Sequence, residues 1–169
     1  MIERYSLPEM SHIWSEEHKF ALWLKVEIAV CEAWCELGRI PLEDMQKIRG
    51  ATCNLDRLSE ILKVTHHDVT AFLGAVAESL GPESRYIHLG LTSSDVMDTA
   101  LALQLKDAAG VLQKDVDQLI GVLRQRALEY KNTIMIGRTH GVHAEPMTFG
   151  LKLALWVKDM EPNAVRLAR

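Results

Sequence analysis

Between Ser94 and about Lys131 the chain has no proline, and apolar residues recur every three or four positions: Leu101, Leu105, Ala108, Leu112, Val116, Leu119, Leu123 and Ala127. The spacing predicts one continuous helix, about 55 Å long at ~1.5 Å of rise per residue. That is more helix than a compact domain of 169 residues needs. Val96, Leu103, Val111, Ile120 and Val122 lie off the main stripe, so more than one face seeks an apolar partner. Few helices remain in the chain to supply one. The expected fold class is all-α: a small N-terminal helical domain over residues 1–92, followed over residues 93–169 by the first part of a long-helix bundle. The unpartnered faces, and a helical pattern still running at Arg169, imply a truncated piece or dependence on other subunits.

The N-terminal portion reads as short helices with local start and stop signals. Ser15 caps a helix carrying Phe20, Trp23, Leu24, Ile28, Cys31 and Trp34, and Gly38 supplies its left-handed stop. Pro41 opens a second helix, and Asn54 caps a third through Leu58 and Ile61. A fourth begins at Thr65 or His66 and ends at Gly81-Pro82, after which Tyr86 to Gly90 forms an extended link. Near the C-terminus, Thr133 to Ile136 is short enough to be extended or helical, and the last helix starts at Pro146 and passes through Phe149, Leu153 and Trp156.

Composition narrows the functional classes. A content of 48% hydrophobic and 25% charged residues suffices for a real core. No apolar run reaches the roughly 18 residues that span a bilayer, and the N-terminus lacks a signal-peptide pattern, so a cytoplasmic location without membrane partners is expected. A net charge of -4 gives no basic footprint for nucleic acid. Cys31 and Cys35 share one helical face and read as small buried hydrophobes; a metal pair there lacks neighbouring histidines. The spacings of His66, His67, His140 and His143 match no zinc pattern, and no metal is expected.

Four polar clusters carry the chemical possibilities: Arg4-Tyr5-Ser6, Thr65-His66-His67-Asp68, Thr92-Ser93-Ser94-Asp95, and the run Gly137 to Pro146 around His140. Each has two readings. Thr92 and Ser93 either cap a helix or, with the free amides there, cradle a carboxylate or phosphate. His67 beside Asp68 is either an oriented imidazole or part of a cap with solvated histidines. Arg4-Tyr5 is either a frayed terminus or a guanidinium fork for phosphate. In the last cluster His143 could serve as a helix cap, but flanking glycines open the His140 imidazole to close approach, and imidazole is the side chain most suited to giving and taking protons under physiological conditions.

Taken in order, these motifs closely resemble those of the adenylosuccinate lyase family, of bacterial type, within the fumarase/aspartase superfamily. The likeness runs from Met1-Ile2-Glu3-Arg4-Tyr5-Ser6 through Thr65 to Phe72, Leu91 to Val96, Asp98 to Leu101 and Gly137 to Pro146, and on to Phe149-Gly150-Leu151-Lys152-Leu153-Ala154. The resemblance implies a tetramer built on a bundle of very long helices, with active sites shared between subunits. It implies β-elimination of fumarate from adenylosuccinate to give AMP, a parallel cleavage of the succinylated carboxamide ribotide in purine synthesis, and no cofactor. By the same match, His140 is the catalytic acid and His67 a further catalytic residue, with Arg4, Tyr5, His66, His67, Asp68, Thr92 and Ser93 binding the nucleotide substrate. The family's catalytic base is a serine on a mobile glycine-rich loop, and no such loop precedes Arg169, so the isolated polypeptide is expected to be inactive.

Pro162 departs from the family pattern, since an interior proline removes one helical hydrogen bond and kinks the axis. Two other readings stand beside this one. Argininosuccinate lyase and the carboxymuconate cycloisomerases share the bundle and related motifs. A non-catalytic helical oligomerisation module would explain the long helix, though not the glycine-bracketed His140.

Overall fold

The computed structural model describes residues 2–168, apart from the side chain of residue 3; Met1 and Arg169, the outermost positions of the two expected domains, lie outside the described residues. The helices are α1 (Pro8–Ile13), α2 (Glu16–Glu36), α3 (Leu42–Ile48), α4 (Leu55–Thr65), α5 (Asp68–Ala77), α6 (Ser93–Glu129) and α7 (Phe149–Leu167). Two strands, β1 (Ile134–Thr139) and β2 (Val142–Thr148), form an antiparallel hairpin between α6 and α7. Turns of 3-10 helix occupy Glu3–Tyr5 and Pro82–Tyr86. The protein is all-α apart from this one hairpin. It divides into two compact units, one ending at Asp107 and the other beginning at Ala108, so the division falls within α6.

In the first unit the helix signals act locally as expected. Ser15 accepts the amide of His18, Asn54 accepts that of Arg57, and Gly38 sits at φ +70°. The core is aromatic at its centre: Trp23 meets Phe20 and Phe72 edge-on, with ring centroids 5.0 and 5.4 Å apart. Val69, Val76, Val96 and Ala100 close around them. A neighbouring cluster of Cys31, Ile40, Met45 and Ile48 anchors α3. Burial pushes the Cys31 thiol up to about 11, with the charge of Glu27 adding to the effect, so this cysteine is an inert apolar filler at neutral pH. Gln104 of α6 is buried and donates to the carbonyl of Ile13 at 2.8 Å, tying the end of α1 to the long helix.

In the second unit, Ile120 and Leu123 of α6 pack against Leu153 and Val157 of α7. The turn into α7 is tight. The amide of Phe149 donates to Thr133 and that of Gly150 to Tyr130, while Thr148 caps the helix by accepting the amide of Leu151. Gly150 is required here, because a Cβ would lie 2.4 Å from the carbonyl oxygen of Ala127 and 2.6 Å from Cα of Lys131. On α6, Leu101, Leu105, Leu112, Leu119, Val122 and Leu128 remain exposed, as do Leu151, Leu155 and Trp156 on α7. Most of the exposed α6 residues belong to the main stripe, whereas Val96 and Ile120, off it, are buried, so both apolar faces exist but the main stripe is the one left largely uncovered.

Four local expectations are corrected. The last helix begins at Phe149, not Pro146, which lies inside β2 opposite Ile136; a hairpin edge tolerates a residue without an amide donor. His143 is likewise a strand residue paired with Arg138, and Thr148 does the capping. The fourth helix starts at Asp68 and ends at Ala77, because His66 already serves as the left-handed C-cap of α4. Tyr86 ends the 3-10 segment and residues 87–90 are turns, so the stretch is not an extended link. Helix α7 runs through Pro162 to Leu167, in keeping with the helical pattern still running there, and Val157 and Met160 before the proline and Ala164 after it pack on the same core.

Candidate functional site

Three histidines, two of them in the polar clusters, share an unusual backbone state. Among the described residues, the non-glycine positions with positive φ are His66 (52°), His88 (65°) and His140 (54°). L-residues adopt this region reluctantly, and strained conformations gather where a side chain must be presented in a particular way.

His140 and Gly141 form the two-residue tip of the hairpin, with φ 54° and 76°. Positive φ at both central positions is the geometry that matches the twist of paired strands. Gly137, two residues before Thr139, sits at a register irregularity where a Cβ would come within 2.8 Å of the carbonyl oxygen of Glu145. The glycines therefore build the hairpin, and the hairpin holds His140 outward. The imidazole is exposed and has no hydrogen-bonding or ionic partner among the described residues.

His67 is the N-cap of α5, and its Nδ1 accepts the amide of Thr70 at 3.3 Å. Asp68 does not orient the ring: its oxygen lies 3.8 Å from Nδ1 and accepts the amide of Val69 instead. With Nδ1 accepting, the ring proton sits on Nε2, so His67 presents a donor to solvent. His66 and His67 are both exposed, and Asp68 is half-buried.

Thr92 precedes α6, where the Asp95 carboxylate accepts both its amide (2.8 Å) and its hydroxyl (2.9 Å). The amide bond of Thr92, then its hydroxyl bond, hold the Asp95 carboxyl below its ordinary range, with the nearby His88 adding a smaller pull. Capping is thus accomplished by Asp95 reaching back, and Ser93, at the first position of α6, is not needed for it. At the N-terminus, Arg4 stacks its guanidinium 4.7 Å above the Tyr5 ring, both side chains being exposed.

The first unit thus carries Arg4, Tyr5, His66, His67, Asp68, Thr92 and Ser93, and the second carries His140. Sequence reasoning missed Glu27, which is fully buried and bonds twice to His88. The signal was present: Glu27 falls four residues after Trp23 and four before Cys31, squarely on the buried stripe of α2. Among the described residues no group of three His, Cys, Asp or Glu side chains is placed to hold a metal ion, and no helix is long and apolar enough to cross a membrane.

Comparison with known proteins adds a family. A model of a lyase family matches residues 3–169. Adenylosuccinate lyase of Bacillus subtilis (strain 168) is 56% identical over 98% of the chain, and that of Streptococcus mutans is 54% identical over the same share. The chain spans 39% of the length of each of these relatives. Among solved structures, a fumarate lyase from Mesorhizobium sp. BNC1 matches 94% of the chain with a TM-score of 0.87 at 28% identity. A 3-carboxy-cis,cis-muconate lactonizing enzyme from Pseudomonas putida matches 97% with a TM-score of 0.88 at 30% identity, and the chain covers 38% and 39% of these two structures respectively.

Proposed function

The chain belongs to the lyase family matched over residues 3–169, and on that premise we propose that it is part of an adenylosuccinate lyase, eliminating fumarate from adenylosuccinate to leave AMP. The same site would cleave the succinylated aminoimidazole carboxamide ribotide of purine nucleotide biosynthesis. The observation that carries this reading is the identity of 56% and 54% with adenylosuccinate lyases over nearly the whole chain, against 28% and 30% with structures of other lyases and lactonizing enzymes.

In the proposed reaction a base takes the proton beside one succinyl carboxylate, and the electron pair of that C–H bond collects on the carboxylate as an aci-anion. The pair then returns to form the fumarate double bond while the C–N bond breaks and the departing nitrogen takes a proton. His140 is the proposed proton donor: its ring is exposed, unpartnered among the described residues and held at a hairpin tip. His67, a donor through Nε2, is the second proposed catalytic residue. Thr92 and Ser93, at the start of α6, are proposed to bind substrate; Asp95 takes the amide and hydroxyl of Thr92, so the Ser93 amide and hydroxyl at the positive helix end are the proposed donors to a substrate anion. His66 and Asp68 flank His67 in the substrate pocket, and Arg4 with Tyr5 offers a cation and a ring to the nucleotide.

The proposal includes no cofactor, because every step is a proton transfer or an elimination. It places the enzyme in the cytoplasm as a homotetramer whose subunits jointly complete each site, with exposed residues of α6 and α7 such as Leu105, Leu119 and Trp156 covered by neighbouring helices. The boundaries 1–92 and 93–169 are proposed as its N-terminal domain and the start of its central bundle. The test is fumarate and AMP release from adenylosuccinate by the full-length protein. Turnover that disappears in His140→Gln supports the reading, whereas cleavage confined to argininosuccinate, or lactonization of a carboxymuconate, assigns the chain to another branch. Unchanged turnover in His140→Gln with normal assembly removes His140 from the chemistry.

A further inference from the structure

Glu27 has no exposed surface, and a buried carboxylate is retained only where donors compensate its lost hydration. Both of its oxygens are engaged by one residue. Oε2 accepts the backbone amide of His88 at 2.8 Å, and Oε1 accepts its ring Nδ1 at 2.6 Å. Because the carboxylate accepts in both bonds, the ring proton is fixed on Nδ1 and the Nε2 edge is left free.

The clasp lies at a turn that strains the chain. His88 has φ 65° and Gly90 has φ 77°, with Leu89 exposed between them. The indole of Trp34 donates to the carbonyl of Leu89 at 3.0 Å, so α2 grips the turn at two points, about two turns apart on the helix. The chain leaves this turn through Leu91 directly into Thr92 and Ser93. Asp95, which holds the amide and hydroxyl of Thr92, also lies within electrostatic reach of the His88 ring. Two hydrogen-bonded pairs, Glu27 with His88 and Asp95 with Thr92, thus stand at the two ends of the short segment that leads from the turn into α6.

We propose that Glu27 is a positioning residue: by binding the amide and Nδ1 of His88 together, it sets the 88–91 turn and so the placement of Thr92 and Ser93 toward substrate. The part concerning substrate rests on the function proposed above, whereas the hold on the turn does not. A carboxylate at this position is specific in its chemistry. A glutamine of the same shape offers one acceptor oxygen and one amide donor, so it cannot accept both protons of His88.

The experiment uses full-length protein carrying Glu27→Gln, with Glu27→Asp as a second variant that keeps the charge but shortens the reach. Hydrogen exchange of the ligand-free protein is expected to rise about tenfold across residues 88–93 and not elsewhere in the first unit, the loss of one bond to a charged group. KM for adenylosuccinate is expected to rise about tenfold while kcat changes little, as for lost binding that is uniform between ground and transition states. A merely structural role would lower kcat by depleting the folded fraction, leave KM unchanged and raise exchange throughout the unit. That pattern, or unchanged exchange over 88–93 in both variants, overturns the proposal. If the wild-type protein releases no fumarate, the proposed function fails, and exchange alone decides whether Glu27 holds the turn.

Discussion

The Nδ1 atom of His67 accepts the backbone amide of Thr70 at 3.3 Å, so a ring proposed for catalysis also begins a helix. The two roles use different nitrogens. Capping occupies Nδ1, and any proton given to substrate must leave from Nε2.

That division makes the roles separable. His67→Ala should cost about 1 kcal/mol of stability through the lost cap, whereas His67→Asn, with a strong capping side chain, should keep most of it. Both variants should lose turnover in the full-length enzyme. Urea unfolding beside a fumarate-release assay checks this, and equal activity in wild type and His67→Asn would remove the residue from catalysis.

His140 permits a similar separation at the hairpin tip. Asparagine tolerates left-handed backbone and is favoured ahead of glycine in two-residue hairpin turns. His140→Asn should therefore leave the thermal midpoint essentially unchanged while turnover falls by about 10²–10⁴, the usual contribution of a positioned acid. Gly141→Ala should act oppositely, destabilising the hairpin by about 1–2 kcal/mol through the left-handed Cβ clash at φ 76° without removing the imidazole. Calorimetry and steady-state kinetics on the two variants distinguish turn from chemistry.

Gly150→Ala tests the approach of α7 to the end of α6. The added methyl would meet backbone atoms of Ala127 and Lys131, which cannot swing aside as a side-chain tip can. Overpacking of this kind costs about 1–3 kcal/mol or more. The expected result is early unfolding of the second unit, seen as faster hydrogen exchange over residues 120–160, with α2 and α5 protected as in wild type.

Asp95 predicts a pH dependence with a definite sign. Its folded carboxyl titrates below the ordinary value of 3.8, chiefly because the Thr92 amide bonds to the charged form. The stabilisation is therefore complete above that ordinary value and is lost as pH falls toward and through the depressed folded value. Glu83, held low first by its hydrogen bond from Lys47, behaves likewise. Asp95→Asn should be less stable than wild type at pH 7 but lose less on acidification to pH 3, as measured by urea midpoints at the two pH values. Parallel losses in both proteins would refute the linkage.

What could be read from residues alone was what depends on neighbours three or four positions away. The caps at Ser15 and Asn54, the left-handed stop at Gly38 and the long period of α6 are local, and each acts as its residue type dictates. The polar clusters were legible for the same reason, as short motifs whose order resembles that of one lyase family. Pro146 misled because strand and helix starts both accept a residue without an amide donor, and only pairing with Ile136 chose between them. Tertiary structure alone decided that the Glu27 carboxylate would meet His88, 61 residues away, and that Gly150 would pass against the backbone of Ala127. Those contacts depend on where packed helices bring distant backbone, a property of volume and direction that no local spacing encodes.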